Sequence, residues 1–327
     1  MRISLSYSQV PNRVLKRRSP LAIALAALAL SVTACSSSGG TAATTGSPAT
    51  PQSTTTQPSL QPSDSGNGSG PAALVPASIR SKGTLVVALD ATTPPVEFIA
   101  PDGHTIIGLQ ADLITAVGKE LNLKLKLINA KFETIIPGLV DGKYDIGQAG
   151  YFATAAREKQ VDMVSYEYGG TTLYVKAGSG KSYSGPESLC GAKLAVQLGS
   201  SEDTSAQQQS QKCTSEGKPA IDILRYATGS EENLAVQSGR ADVGWDDAAT
   251  IGYLVKNSNG VVELAGTLMK APSPSCIALP KGNGMAKPVQ AAVNALISNG
   301  EYASIFAKWG MSDTMVTLSE INPKTAL

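Results

Sequence analysis

Arg157 and Asp247 stand far apart in the chain, yet together they have the types needed to hold a molecule that is both acid and base. A guanidinium grips a carboxylate through a two-pronged set of N–H donors and stays charged at any ordinary pH. A carboxylate accepts hydrogen bonds from an ammonium. An α-amino acid carries both groups one carbon apart. Arg157 is also a misfit where it stands. In "AGYFATAAREKQVD" (149–162), Thr154 reads as a helix N-cap, which makes Arg157 the third helical residue. A capping box puts Glu or Gln there, and the helix dipole favours an acid at that end by roughly 0.3–1 kcal/mol. An incoming carboxylate would supply the negative charge this helix start lacks. Taken singly, Arg157 reads as a solvated helix residue and Asp247 as the N-cap of "AATIGYLV". Only their joint placement near matching strand ends gives a reason to read them together.

The placement comes from alternating strands and helices. "TLVVAL" (84–89), "LKLKLI" (123–128) and "YDIGQAG" (144–150) read as strands. Between them, "LQADLITAVGKEL" (109–121) has helical apolar spacing, and "FETIIPGLVDG" is a short helix closed by Gly142. This βαβαβ order predicts a parallel sheet with helices on its faces. The plan repeats in "AKLAVQ" (192–197), "SSEDTSAQQQSQKC" (200–213), "IDILRY" (221–226), "SEENLAVQSG" (230–239) and "ADVGW" (241–245). "DGKYDIG" (141–147) and "SGRADVG" (238–244) echo each other at the entry to each third strand. The final strand "SCIALP" (275–280) and helical stretch 287–310 have no sheet of their own and should return to the first lobe. The expectation is a two-lobed α/β chain, each lobe a mostly parallel sheet flanked by helices. Lobe 1 spans 75–175 plus 275–327 and lobe 2 spans 176–274. The two crossings form a hinge near 174–178 and 271–276.

Ligands of open parallel sheets sit beyond the carboxyl ends of the strands. Those ends offer Asp90; then Gly150, Tyr151 and Phe152; then Trp245, Asp246 and Asp247. In the turn "GSSED", Ser200 and Ser201 can donate hydrogen bonds at a helix start. Gly150 lets backbone approach closely. Phe132, at the start of the short helix, can cover a ligand's side chain.

Composition narrows the function. The net charge is +1, which gives no reason to propose nucleic acid as a partner. The first 34 residues have a basic stretch and a short apolar run, "PLAIALAALALSVTA", typical of a secretory signal. Residues 35–74 are rich in Ser, Thr, Gly, Pro and Gln, and read as a flexible tether. Cys190 and Cys213 flank one strand–helix unit and are expected to pair in an oxidising compartment. Cys276 is left as a small buried residue. No cofactor or metal site is expected: there is no CxxC, and the single histidine, His104, lies in an exposed turn. Gly-x-Ser-x-Gly, P-loop and HExxH motifs are absent, so an enzyme is not expected.

Two resemblances sharpen this. "SVTAC" resembles the lipobox of bacterial lipoproteins, which implies cleavage before Cys35 and a lipid on its sulfur, holding the protein to the outer face of the cell membrane. Residues 79–310 resemble the family 3 extracellular solute-binding proteins of ABC importers. The resemblance rests on "IRSKGTLVVALD", "PPVEF", "LQADLITAVGKELN", "FETIIPGLVDGKYDIGQAGYFATAAREKQVD", "LAVQLGSSED", "SGRADVGWDD" and "ISNGEYASIFAKWG". It implies the periplasmic-binding-protein-like fold, a monomer, and an amino acid or close zwitterionic analogue delivered to a membrane permease and its ATPase. It further implies that Arg157 holds the α-carboxylate and Asp247 the α-ammonium. Gly150 and Ser201 would add contacts, Phe132 would stack on the ligand, and Asp90 stands where some members meet a basic side chain. Thr93 and Val96 replace aromatics that the family often has beside its Pro-Pro, a gap that Tyr151 or Trp245 is expected to fill. An amino-acid-sensing lipoprotein and a dehydratase-type enzyme are the alternatives on the same fold.

Overall fold

The computed structural model describes residues 70–271 and 273–325. The expected signal segment, Cys35 and the tether up to residue 69 lie outside the described residues. The last expected tether residues are structured: Pro71–Leu74 form a 3-10 turn against the helix Ala286–Asn299. Val75, directly after it, is buried.

Two sheets carry the fold. The first is ordered Lys124–Asn129, Thr84–Leu89, Ile146–Phe152, Ser275–Pro280, Val161–Glu167. Its first three strands are parallel; Ser275–Pro280 runs antiparallel to both neighbours. The second is ordered Asp222–Tyr226, Lys193–Gln197, Val243–Asp247, Gly170–Lys176, Val262–Leu264, again with three parallel strands and then antiparallel pairing. Apolar clusters fill both faces of each sheet. The C-terminal helical stretch returns to the first lobe as Ala286–Asn299 and Glu301–Trp309, broken at Gly300 (φ 84°).

The internal echo has a physical cause. Asp145 Oδ2 accepts from Val86 N at 2.8 Å, and Asp242 Oδ2 accepts from Lys193 N at 3.0 Å. Each carboxylate also meets a lysine, Lys82 or Lys181. In both lobes an Asp at the entry to the third strand ties down the first.

One boundary differs from the sequence reading. Gly170–Lys176 belongs to the second sheet, with Leu173 opposite Trp245. The first crossing is therefore at 168–169, not near 174–178. The glycine pair Gly169–Gly170 separates two buried strands, Val161–Glu167 and Gly170–Lys176, and each joins a different sheet. The chain is back in the first sheet by Ser275–Pro280.

Cys190 and Cys213 form a disulfide, Cα to Cα 5.7 Å, joining the turn after Pro186–Leu189 to the helix Ser201–Ser215. Cys276 is free and buried. After Ser312–Thr314 the chain runs along the outer side of Val161–Glu167. Tyr168 N donates to Thr314 O, Ser165 N to Glu320 O and Asn322 N to Met163 O, at 2.8, 2.9 and 2.7 Å.

Candidate ligand-binding cleft

The carboxyl ends of both sheets face one another across a narrow cavity. Its lining includes all of the expected contacts: Asp90, Phe132, Gly150, Phe152, Arg157, Ser200, Ser201 and Asp247. The sequence reading did not single out Glu97, Gln110, Gln197 or Glu202, which also line it, nor give a role to Asp246.

Arg157 starts from the predicted helix. Thr154 caps Ala155–Glu158, its Oγ1 accepting from Arg157 N at 3.1 Å. The guanidinium reaches across the cleft. Nη1 donates to Phe152 O at 2.8 Å, and Nη2 to Gly199 O, in the second lobe, at 3.1 Å. Beneath it lie the rings of Tyr151 and Phe132, with centroids 5.0 and 5.6 Å from Cζ. Burial weakens the guanidinium's hold on its proton, and the neighbouring Glu202 and Asp247 oppose that. With one donor edge on each lobe and aromatic faces below, the fork has a fixed direction.

Gly150 is needed where it stands. Its φ is 64°, a left-handed conformation that other residues adopt at a cost of roughly 1–2 kcal/mol. A Cβ there would lie 3.3 Å from Gln110 Nε2 and 3.7 Å from Asp247 Oδ2. Gly150 N donates to Gln110 Oε1 at 3.1 Å. Ser200 caps Ser201–Ser215, accepting from Asp203 N at 3.0 Å, and Ser201 Oγ donates to Glu202 Oε2 at 3.0 Å. Asp203 is buried and pairs with Arg225, so it braces this turn and is not part of the lining.

Carboxylates dominate the rest. Asp90, Glu97, Glu202, Asp246 and Asp247 share the cavity with Arg157, the one cation among its described lining residues. Burial pushes Asp90 up to about 6, against hydrogen bonds from Thr92 and Gln197. Burial, then repulsion from Glu202, pushes Asp246 up to about 7. Glu97, Glu202 and Asp247 are raised as well, each first by burial. Glu97 Oε2 and Asp246 Oδ2 are buried and have no hydrogen-bond partner among the described residues. These groups favour a cation arriving between them.

Tyr151 and Trp245 do not fill the gap left by Thr93 and Val96. Tyr151 is buried under Phe132, its hydroxyl donating to Phe132 O at 2.6 Å, and Trp245 Nε1 donates to Thr171 Oγ1 at 2.9 Å. Thr93 and Val96 line the cavity themselves, beside Glu97. That wall is formed by a threonine, a valine and a carboxylate, with no aromatic ring. His104 lies outside the cavity, its side chain 80% exposed.

A family model for bacterial extracellular solute-binding proteins, family 3, matches residues 85–312. The chain belongs to that family. It is similar to the arginine-binding protein ArgT of Corynebacterium glutamicum, 30% identical over 251 residues, 76% of this chain and 82% of that protein. Among solved structures it is similar to an ancestral arginine-binding protein bound to arginine, with 33% identity, a TM-score of 0.62, and coverage of 69% of this chain and 98% of the other. The same ancestral type bound to glutamine matches at 32% identity and a TM-score of 0.63, covering 70% and 98%. The family 3 chain is thus an amino-acid-binding component of ABC transport, not an enzyme. Among the described residues, none form a cluster suited to a metal ion, and no helix is long and apolar enough to cross a membrane.

Proposed function

We propose that this family 3 protein captures a zwitterionic amino acid with a cationic side chain, arginine first, and presents it to an ABC importer. The observation that carries the reading is the set of five carboxylates around a single guanidinium in one interlobe cavity. Arg157 takes the α-carboxylate and Asp247, with Glu202 and Asp246 nearby, takes the α-ammonium. Asp90 and Glu97, whose proton is held more tightly because of burial and then Asp90's charge, take the side-chain cation. A neutral side chain such as that of glutamine would leave two buried acids without a counter-charge, which is costly. The arginine-binding names of the similar proteins point the same way.

The same reading holds the protein at the outer face of the cell membrane through a lipid on Cys35, with 35–69 as a tether. Calorimetry of the purified chain against arginine, lysine, glutamine and ectoine tests the ligand. Tight binding of arginine with weak or no binding of glutamine supports it; the reverse order sinks it. Release of a Cys35→Ala variant from the membrane fraction tests the anchor.

A further inference from the structure

Thr92 is not part of the cavity wall, but it touches both sides of the cleft. Its Oγ1 donates to Asp90 Oδ1 at 2.9 Å and accepts from Gly229 N, in the second lobe, at 3.2 Å. Its carbonyl accepts from Ser230 Oγ at 3.1 Å. Asp90 Oδ2 accepts from Gln197 Nε2, also in the second lobe. A hydroxyl has one proton, and here Asp90 takes it, so the lone pairs are turned to the Gly229 amide. One line of hydrogen bonds therefore runs Gln197, Asp90, Thr92, Gly229, with its middle in the first lobe and both ends in the second. The approach is tight. A Cβ on Gly229 would stand 2.7 Å from Thr93 Cγ2, so the helix Gly229–Ser238 comes as near as a residue without a side chain allows.

We propose that Thr92 is a positioning residue that couples Asp90, inside the cavity, to closure of the lobes, and that ligand release requires its bond to Gly229 to break. The inference rests on the reading of Asp90 as part of the ligand site. The Gly229 bond joins the two lobes, so opening must break it, whereas ligand entering an open cleft does not meet it. Its loss should act on the rate of release and not on the rate of capture.

The test uses stopped-flow kinetics with L-arginine on the parent and three variants. Thr92→Val keeps the side chain's shape and removes the hydroxyl; release should be about tenfold faster, with capture changed by less than about twofold. Thr92→Ser restores the hydroxyl and should release at the parent rate. Gly229→Ala, whose methyl would press on Thr93, should give faster release by a separate route. Release from Thr92→Val at the parent rate, or from Thr92→Ser as fast as from Thr92→Val, overturns the proposal. If the parent binds no amino acid, the ligand reading fails by itself. The latch is then judged by the interlobe distance distribution of spin-labelled, ligand-free protein. Thr92→Val should shift that distribution toward open forms, and an unchanged one overturns the proposal.

Discussion

Arg157 of the first lobe donates a hydrogen bond to the carbonyl of Gly199 in the second, 3.1 Å away. A lysine has no second prong to span both lobes and face a carboxylate. Arg157→Lys should therefore weaken amino-acid binding about 10- to 100-fold, since hydrogen bonds between charged groups contribute about 1.5–3 kcal/mol. Thermal stability without ligand should change little. Calorimetry and a melting curve on the same sample check both halves.

The crowded carboxylates give a pH dependence of definite sign. Asp90 and Asp246 have folded values of about 6 and about 7, above the ordinary value of 3.8. Such groups bind protons more tightly when folded, so their contribution to stability is present at low pH and lost as pH rises from about 4 to about 7. The ligand-free protein should thus lose stability over that window. A cationic ligand favours the ionised forms, so its binding expels protons and its affinity should rise over the same window. Binding heats measured at pH 6.5 in phosphate and in imidazole should differ by the number of protons released times the difference between the two buffers' ionisation heats. Identical heats would contradict this account.

Glu97 should set the preference for a charged side chain. It is buried, with Oε2 free of hydrogen-bond partners among the described residues. Glu97→Gln removes the charge and keeps the size. Arginine affinity should fall at least about tenfold, while glutamine binding should improve, because one unpaired buried charge is gone. Competition between the two labelled amino acids reads the change directly.

The disulfide closes a loop with 23 residues of separation. In the chain-entropy model that loop contributes about 3 kcal/mol. Replacing both Cys190 and Cys213 by Ser should lower the unfolding temperature by roughly 5–10 °C. Arginine affinity should stay near the parent's, since neither cysteine lines the cavity. Scanning calorimetry and a binding titration separate the two effects.

How much of this was readable beforehand varies by element. Helices with strong apolar spacing, such as Leu109–Glu120, and the strand Thr84–Leu89 appear where their patterns place them. Val161–Glu167 and Gly170–Lys176 were not anticipated as strands. They are buried almost throughout, so neither shows the alternation that marks a half-exposed strand. The cleft's partners at strand ends were legible because topology alone brings them together. Glu97 and Glu202 were not, and Gln197, though it ends the strand Lys193–Gln197, has a neutral side chain that did not stand out. A lone acid beside a short strand or in a first helical turn looks solvated in sequence, and burial comes only when the opposite lobe covers it. Asp246 stood beside a residue already chosen, and its orphaned oxygen gave no sign in the sequence.

The C-terminal run along Val161–Glu167 has a consequence for life at high local concentration. That strand is the last of its sheet, and an uncovered last strand offers unpaired N–H and C=O groups to any other chain. Residues 314–322 already occupy the amides of Ser165 and Tyr168 and the carbonyl of Met163. Proteolytic trimming of this tail would therefore do more than loosen a lobe. It would expose a template for strand addition, and copies crowded side by side would become partners for aggregation.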